Sequence, residues 1–382
     1  MWLPQLVGGL TLLAGRVVPA IAVSILPQGL STLYLDVFNV TNCHDVCFGS
    51  FTGLTDPSLP VGETLLSSTV NMSAAGYPAV IEGGILAVSP DSIFSAIPAV
   101  ESGDPPVANL TNIVFMAPRD GSTVQTIKLH RGKGWPAKAM SNDLYITQLE
   151  WDSSEDGQLY ALLEETGMGP GVGPSWGGYC SIDVDTGAAD WLGAFPVHEV
   201  IMCVGAVSGF DSSRSTIYTA ALTLLGNERV YAFSRGADGV FVSSGSWEVA
   251  GLSRNSSLAG LAINPGKTPV AVVNPIDEGS TPAGAPTGGP VLLQLMDDST
   301  VQTLYDFGPD MILFSAVLGG STGGDSSVAM ILDDASLPTP PWEGDKAVLA
   351  IVPLDLKSRP VRRLDVAPLF SPDSFGGLVY LP

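Results

Sequence analysis

Cations, histidine and cysteine are all scarce in this sequence. Of 382 residues, 16 are Lys or Arg against 38 Asp or Glu, giving a formal net charge of −22, and there are only 3 His and 4 Cys. So little positive charge argues against phosphate backbones and anionic lipid as partners, and nucleic acid is not expected. No phosphate-cradling glycine motif, Lys/Arg patch or Gly-x-Ser-x-Gly elbow occurs, so nucleotide binding and serine-nucleophile catalysis lack their usual motifs. Beyond the first residues no apolar run approaches the ~18 residues of a membrane span. Apolar residues and turn formers are plentiful: 45% of the chain is hydrophobic, only 14% is charged, and there are 44 Gly and 30 Pro. That much apolar surface must be buried, which excludes disorder for most of the chain. The Gly and Pro content demands many turns and little long helix.

The apolar stretch Leu6 to Ala14, followed by Ala20-Ile21-Ala22, has the small-x-small pattern of a cleaved signal. Residues 1–22 are therefore expected to be a signal peptide and 23–382 one secreted, soluble domain. Four Asn-x-Ser/Thr triplets, at Asn39, Asn71, Asn109 and Asn255, fit glycosylation in that compartment. In an oxidising milieu the cysteines suggest two disulfides, Cys43 with Cys47 and Cys180 with Cys203, out of three possible connectivities. A metal site at Cys43-His44-Asp45-Val46-Cys47 would lack a fourth strong ligand.

Self-comparison reveals a repeat. Tyr145–Trp151, a turn ending at Gly157, Gln158–Leu163, a Gly/Pro loop, Gly178–Val184, the turn Asp185-Thr186-Gly187 and Ala189–Phe195 read as four strands, a to d, in two hairpins. The order recurs over Cys203–Trp247, Leu258–Phe307 and Ile312–Val366, and more loosely over Thr64–Leu129. Half-units remain at both ends: Leu369–Ser371 and Leu378–Leu381 supply only a and b, Ser31–Val40 and Val46–Thr52 only c and d. A β-propeller removes its open edges by closing the ring with a blade built from both termini, which accounts for both halves. The expectation is an all-β, single β-propeller of six four-stranded blades. Seven is the competing count, because the spacing between the first two a–b turns is the longest.

Ser181-Ile182-Asp183-Val184-Asp185-Thr186-Gly187-Ala188-Ala189-Asp190-Trp191 is similar to the A-x-D-x-x-T-G-x-x-x-W signature of quinoprotein-like propeller repeats, with Ser181 in place of Ala. The resemblance covers one blade. It implies structural roles for Asp183, Thr186, Gly187 and Trp191 in locking the c–d hairpin and docking it on its neighbour. It implies no quinone cofactor, since no vicinal Cys-Cys is present.

The a–b and c–d turns are short, whereas the b–c loops (Ser89–Thr111, Glu164–Gly177, Pro275–Gly289, Asp333–Asp345) and d–a loops (Gly53–Gly62, His130–Asn142, Glu248–Asn255) are long. Length beyond what a connection requires points to that face as functional. Trp135, Trp176 and Trp342 lie there near Glu164 and Asp333, a combination suited to an extracellular protein, a carbohydrate or a small cationic ligand. His198 beside Glu199, near the channel mouth, is the single His–carboxylate pair worth testing. Glu63, Asp143, Glu199 and Asp310 each precede an expected inner strand and could converge on the axis to hold Ca²⁺. Against that, the inner strands themselves open on apolar residues such as Met202, Leu258 and Ile312. The reading is a secreted, glycosylated, monomeric binding propeller. The alternative is a Ca²⁺-dependent hydrolase of the lactonase kind.

Overall fold

Alternating apolar and polar residues between turn-forming Gly, Asp and Ser dictate strands, and strands are what form. The computed structural model describes residues 32–40, 43–52, 62–70, 85–97, 113–118, 125–137, 144–152, 157–165, 177–194, 200–223, 227–251, 255–264, 266–275, 289–308, 311–322, 325–334, 347–357, 361–365 and 375–381. Among these residues there is no α-helix, and none long and apolar enough to cross a membrane.

One sheet contains β1 (Thr32–Val40), β2 (Cys43–Thr52) and β3 (Gly62–Val70). A second holds β4 (Ile85–Val88), β5 (Ser92–Ile97), β6 (Ile113–Pro118) and β7 (Gln125–Lys128) in that order. The short β8 (His130–Arg131) belongs to the third, whose other strands are β9 (Leu144–Asp152), β10 (Gln158–Glu165), β11 (Gly177–Ile182) and β12 (Ala188–Ala194), with β8 outside β12. Next come β13 (Val200–Asp211), β14 (Thr216–Thr223), β15 (Asn227–Arg235) and β16 (Phe241–Gly251). These are joined through the pair Gly251 and Ser256 to β17 (Ser256–Ala262), β18 (Val270–Pro275), β19 (Val291–Leu295) and β20 (Val301–Asp306). The last set is β21 (Met311–Thr322), β22 (Asp325–Asp334), β23 (Ala347–Pro353) and β24 (Arg362–Asp365). Finally β25 (Phe375–Leu381) returns to the first sheet and pairs antiparallel with β1, Leu381 opposite Thr32 and Phe375 opposite Val37. Strand β4 packs against β9, β9 against β13, β13 against β17, β17 against β21, β21 against β25, and β25 against β4.

The core lies between sheets, in layers. Ala87, Phe94, Val114 and Ile127 of the second sheet pack on Leu149, Leu159, Ala161 and Ile182 of the third. Tyr160 and Tyr179 of the third meet Phe210, Tyr231, Phe233 and Phe241 of the next. Tyr218, Val230 and Trp247 then face Leu258, Leu261 and Ala271. Val270, Val272 and Leu292 face Val328, Met330 and Ala350. Burying one such Val, Leu or Phe contributes about 1.5–3 kcal/mol, so each sheet is stabilised chiefly by its neighbours.

Polar links pin the same interfaces. Asp211, at the end of β13, is fully buried. Its Oδ1 accepts from the Ser213 amide (3.0 Å), the Ser213 hydroxyl (2.6 Å) and the Arg214 amide (3.3 Å), closing its own turn. Its carboxylate also accepts the Gly266 N–H (3.2 Å) from the β17–β18 turn, and Arg214 Nε lies 3.5 Å away. Asn264 holds the equivalent position after β17, and its Nδ2 donates to the Ser327 carbonyl of β22 (3.3 Å). Trp247 Nε1 on β16 donates to the Met296 carbonyl beyond β19 (2.6 Å).

Several expectations are corrected. The first sheet takes one strand from the carboxyl end and three from the amino end, not two from each, because Thr64–Val70 continues it as β3 rather than opening the next unit. The next sheet starts at β4, and its a–b turn is Ser89–Asp91, where Ser89 Oγ accepts the Ser92 N–H (2.9 Å). The stretch taken as a loop from Ser89 to Thr111 thus contains β5. Cys43 and Cys47 lie on the one strand β2, which at ~3.3 Å per residue sets them about 13 Å apart, beyond the ~7 Å reach of a disulfide. Cys180 is a free, buried thiol opposite Ala161 and Trp191, so the expected bridge to Cys203 is absent. Burial is the main cause that pushes its pKa up to about 12. It packs as a small hydrophobe in the layer between the second and third sheets.

Replacing Asp211 by Ala would leave the Gly266 and Ser213 amides without their acceptor. A loss of about 3 kcal/mol in chemical denaturation is expected, with a smaller loss for Asp211→Asn, which keeps one acceptor oxygen. Equal, negligible losses would show that the turns hold without the link.

Candidate functional site

Each packed interface between sheets has two ends. One carries the tight turns, as at Asp211 and Gly266. The other carries the β14–β15 and β16–β17 connections, and there the structure places a carboxylate that sequence reading missed. Glu228, second residue of β15, points with Val230 and Ala232 toward β17, and its Oε2 accepts the N–H of Leu258. The side chain is half-buried. Burial, the larger influence, raises its pKa above the ordinary carboxylate value, and the Leu258 N–H pulls it partly back. The surrounding backbone is unusual: Gly251 has φ 109° and Asn255 φ 48°. A carboxyl shifted toward its protonated form at the end of such an interface is equipped to donate a proton.

Trp135 is engaged with the third sheet. Its segment leaves β7, crosses to the third sheet and lies parallel to β12, with the His130 N–H donating to Gly187 O (2.9 Å) and the Gly132 N–H to Ala189 O (2.8 Å). Trp135 Nε1 donates to Ala189 O (2.7 Å), its ring sits 5.1 Å from that of Trp191, and Arg131 lies over its face at 5.3 Å. The indole is therefore a clamp that covers a sheet edge. The chain comes so close at Gly187 that an added Cβ would lie 2.2 Å from Lys128 O, and its φ of 77° also favours glycine.

The Asp183 hairpin performs the locking role expected of it. Asp183 Oδ1 accepts from the amides of Asp185 (2.9 Å) and Thr186 (3.0 Å). Bonds from Thr186, backbone first and then hydroxyl, hold its pKa below the usual carboxylate range. Trp191 packs on the layer shared by the second and third sheets.

Glu63 lies on β3 opposite Phe51, at the far edge of its sheet from β25, so it cannot join a ring of carboxylates at the inner-strand starts. Asp143, Glu199 and Asp310 lie outside the described residues, as do Trp176, Trp342, His198, Asn71 and Asn109. Glu164 and Asp333 end β10 and β22, opposite Tyr145 and Ile312, at the same end of their sheets as Glu228 in its own. Asn39 falls in β1 at the irregularity between Phe38 and Val40. Asn255 is exposed in the β16–β17 connection. Among the described residues no group of three or more His, Cys, Asp or Glu could hold a metal ion.

No known family profile and no curated protein matches the chain. Among solved structures it is similar to a mutant of Trypanosoma rangeli sialidase displaying trans-sialidase activity, at TM-score 0.50 and 12% identity over 86% of this chain and 52% of that one. It is also similar to the Pseudomonas aeruginosa periplasmic gluconolactonase, at TM-score 0.44 and 11% identity over 92% of this chain and 99% of that one. The chain spans about half the length of the sialidases it matches, 53% and 52% of theirs. The fold is a β-propeller. Neither a specific family nor a quinoprotein repeat follows from these likenesses.

Because the folded pKa of Glu228 is raised, the folded state holds more protons than the unfolded state from the ordinary Glu value, about 4.3, upward. Stability from this group is present below that value and is lost as pH rises through the folded pKa. Melting curves of wild type and Glu228→Gln from about pH 4 to about pH 8 should therefore show the variant gaining on wild type as pH rises. A constant difference would mean that Glu228 titrates normally.

Proposed function

We propose that the chain is a secreted, six-bladed propeller closed by β25 on β1, and that it hydrolyses small sugar-type substrates, glycosides or lactones, with Glu228 as proton donor. The succession of packed strands β4, β9, β13, β17, β21, β25 and back to β4 supports the closed ring. The observation that carries the activity is Glu228 itself: a half-buried carboxyl with raised pKa, held by one N–H from the next unit, where the β14–β15 and β16–β17 connections meet. A sialidase and a gluconolactonase among the structural neighbours define the substrates to try first. The reading draws no ligand from the carboxylate ring that Glu63 leaves incomplete, and it gives calcium no step.

In this reading a water molecule attacks the substrate carbon and gives its proton to solvent while Glu228 donates its own proton to the leaving oxygen, and the Leu258 N–H then holds the resulting carboxylate until solvent reprotonates it. The packed side chains of Tyr218, Val230 and Leu258 close the core side of the carboxyl.

The test is turnover of a panel of aryl glycosides, sialosides included, and sugar lactones by wild type and Glu228→Gln. The variant is expected to lose at least about 100-fold in kcat, the usual worth of a positioned acid, with an unchanged fold by circular dichroism. Full activity in the variant would remove Glu228 from the chemistry. No turnover by wild type alongside saturable sugar binding would make the chain a binding propeller, with Trp176, Trp342, Glu164, Asp333 and His198 as the residues to substitute.

A further inference from the structure

Four sequence triplets could accept an N-linked glycan, and the fold treats the two that it describes differently. Asn39 lies within β1, a strand with β25 on one side and β2 on the other. Asn255 is exposed just before β17, in the left-handed conformation that Asn tolerates better than most residues. The backbone conformation accounts for Asn at 255, but it places no demand on residue 257. Ser257 nevertheless supplies the hydroxyl that completes the acceptor triplet, on a strand position half open to solvent.

We propose that Asn255 carries an N-linked oligosaccharide, and that this glycan stands at the end of the sheet interface that holds Glu228. Only Ser256 and Ser257 separate Asn255 from Leu258, whose N–H binds the Glu228 carboxylate, so a chain of sugars rooted there borders that carboxylate from the β16–β17 side. Asn255 is an exposed turn residue immediately before β17, whereas Asn39 lies within β1 at the irregularity between Phe38 and Val40. The consequence for access rests on the hydrolase reading. The modification itself does not.

The test is glycopeptide mapping of the full chain secreted from a eukaryotic host, in wild type, Asn255→Gln, Ser257→Ala and Ser257→Thr. The peptide containing Asn255 should carry a glycan in wild type and in Ser257→Thr, which preserves the acceptor triplet. Both Asn255→Gln and Ser257→Ala should lose one glycan's mass on the intact protein while melting remains cooperative. Ser257→Ala keeps the left-handed Asn, so it separates loss of the acceptor from any strain introduced by Gln. An unmodified Asn255 peptide in secreted wild type overturns the proposal, as does a chain that enters no secretory compartment. A modified Asn255 in a protein that turns over none of the panel would leave this site standing while the hydrolase reading fell. If both hold, enzymatic removal of the glycan should raise kcat/KM severalfold for the bulkiest substrates and leave the smallest unchanged. Equal effects on both would detach the glycan from the Glu228 carboxyl.

Discussion

Among the described residues, the apolar faces of consecutive sheets are buried against one another: Leu159 and Ile182 on Phe94 and Val114, Phe233 and Tyr231 on Tyr179, Leu258 on Val230, Val328 on Val272. Isolated, such a sheet would expose these faces, so the layered core exists only when consecutive units are stacked. The polar links follow from that dependence. Asp211 can be fully buried because the Gly266 N–H of the neighbouring unit, together with its own turn, satisfies the carboxylate. Trp247 reaches the Met296 carbonyl in the same way. Apolar packing supplies the attraction, and these directional bonds fix how one sheet sits on the next.

The same arrangement explains why chemistry would gather at one end of these interfaces. At the Asp211 end, donors and acceptors are matched within tight turns, leaving little for a ligand to bind. At the Glu228 end the carboxylate accepts a single N–H, from the next unit. A group that is half-buried and lightly held is more perturbed than one enclosed by a full set of bonds, and more available to a third molecule.

Much of this was legible in the chain itself. The hairpins from Tyr145 to Trp247 were readable because Asp, Gly and Ser punctuate alternating apolar runs, and the locking role of Asp183 and Gly187 was implied by the resemblance of Ser181–Trp191 to a propeller repeat. The amino-terminal third was misread because Thr64–Val70 alternates like any strand, and nothing local says whether a strand ends one sheet or begins another. The turn at Ser89, with neither Gly nor an Asx pair before its strand, was hidden in an apparent loop. The cysteines misled because compartment was allowed to outweigh geometry: C-x3-C on a continuous strand cannot close. Glu228 had no signature at all. Its character comes from Leu258, thirty residues on, and from burial that only the stacked sheets create.

The pairing of β25 with β1 has a consequence for the order of assembly. Strands β1 to β3 leave the ribosome more than about 300 residues before the strand that completes their sheet. Throughout synthesis, the inner edge of β1, from Thr32 to Val37, would have every second backbone amide and carbonyl open to any extended segment nearby. The unit made first is thus finished last, and closing such a distant contact carries the largest loop entropy in the fold. A nascent chain of this design gains most from whatever shields its earliest edge until its final strand arrives.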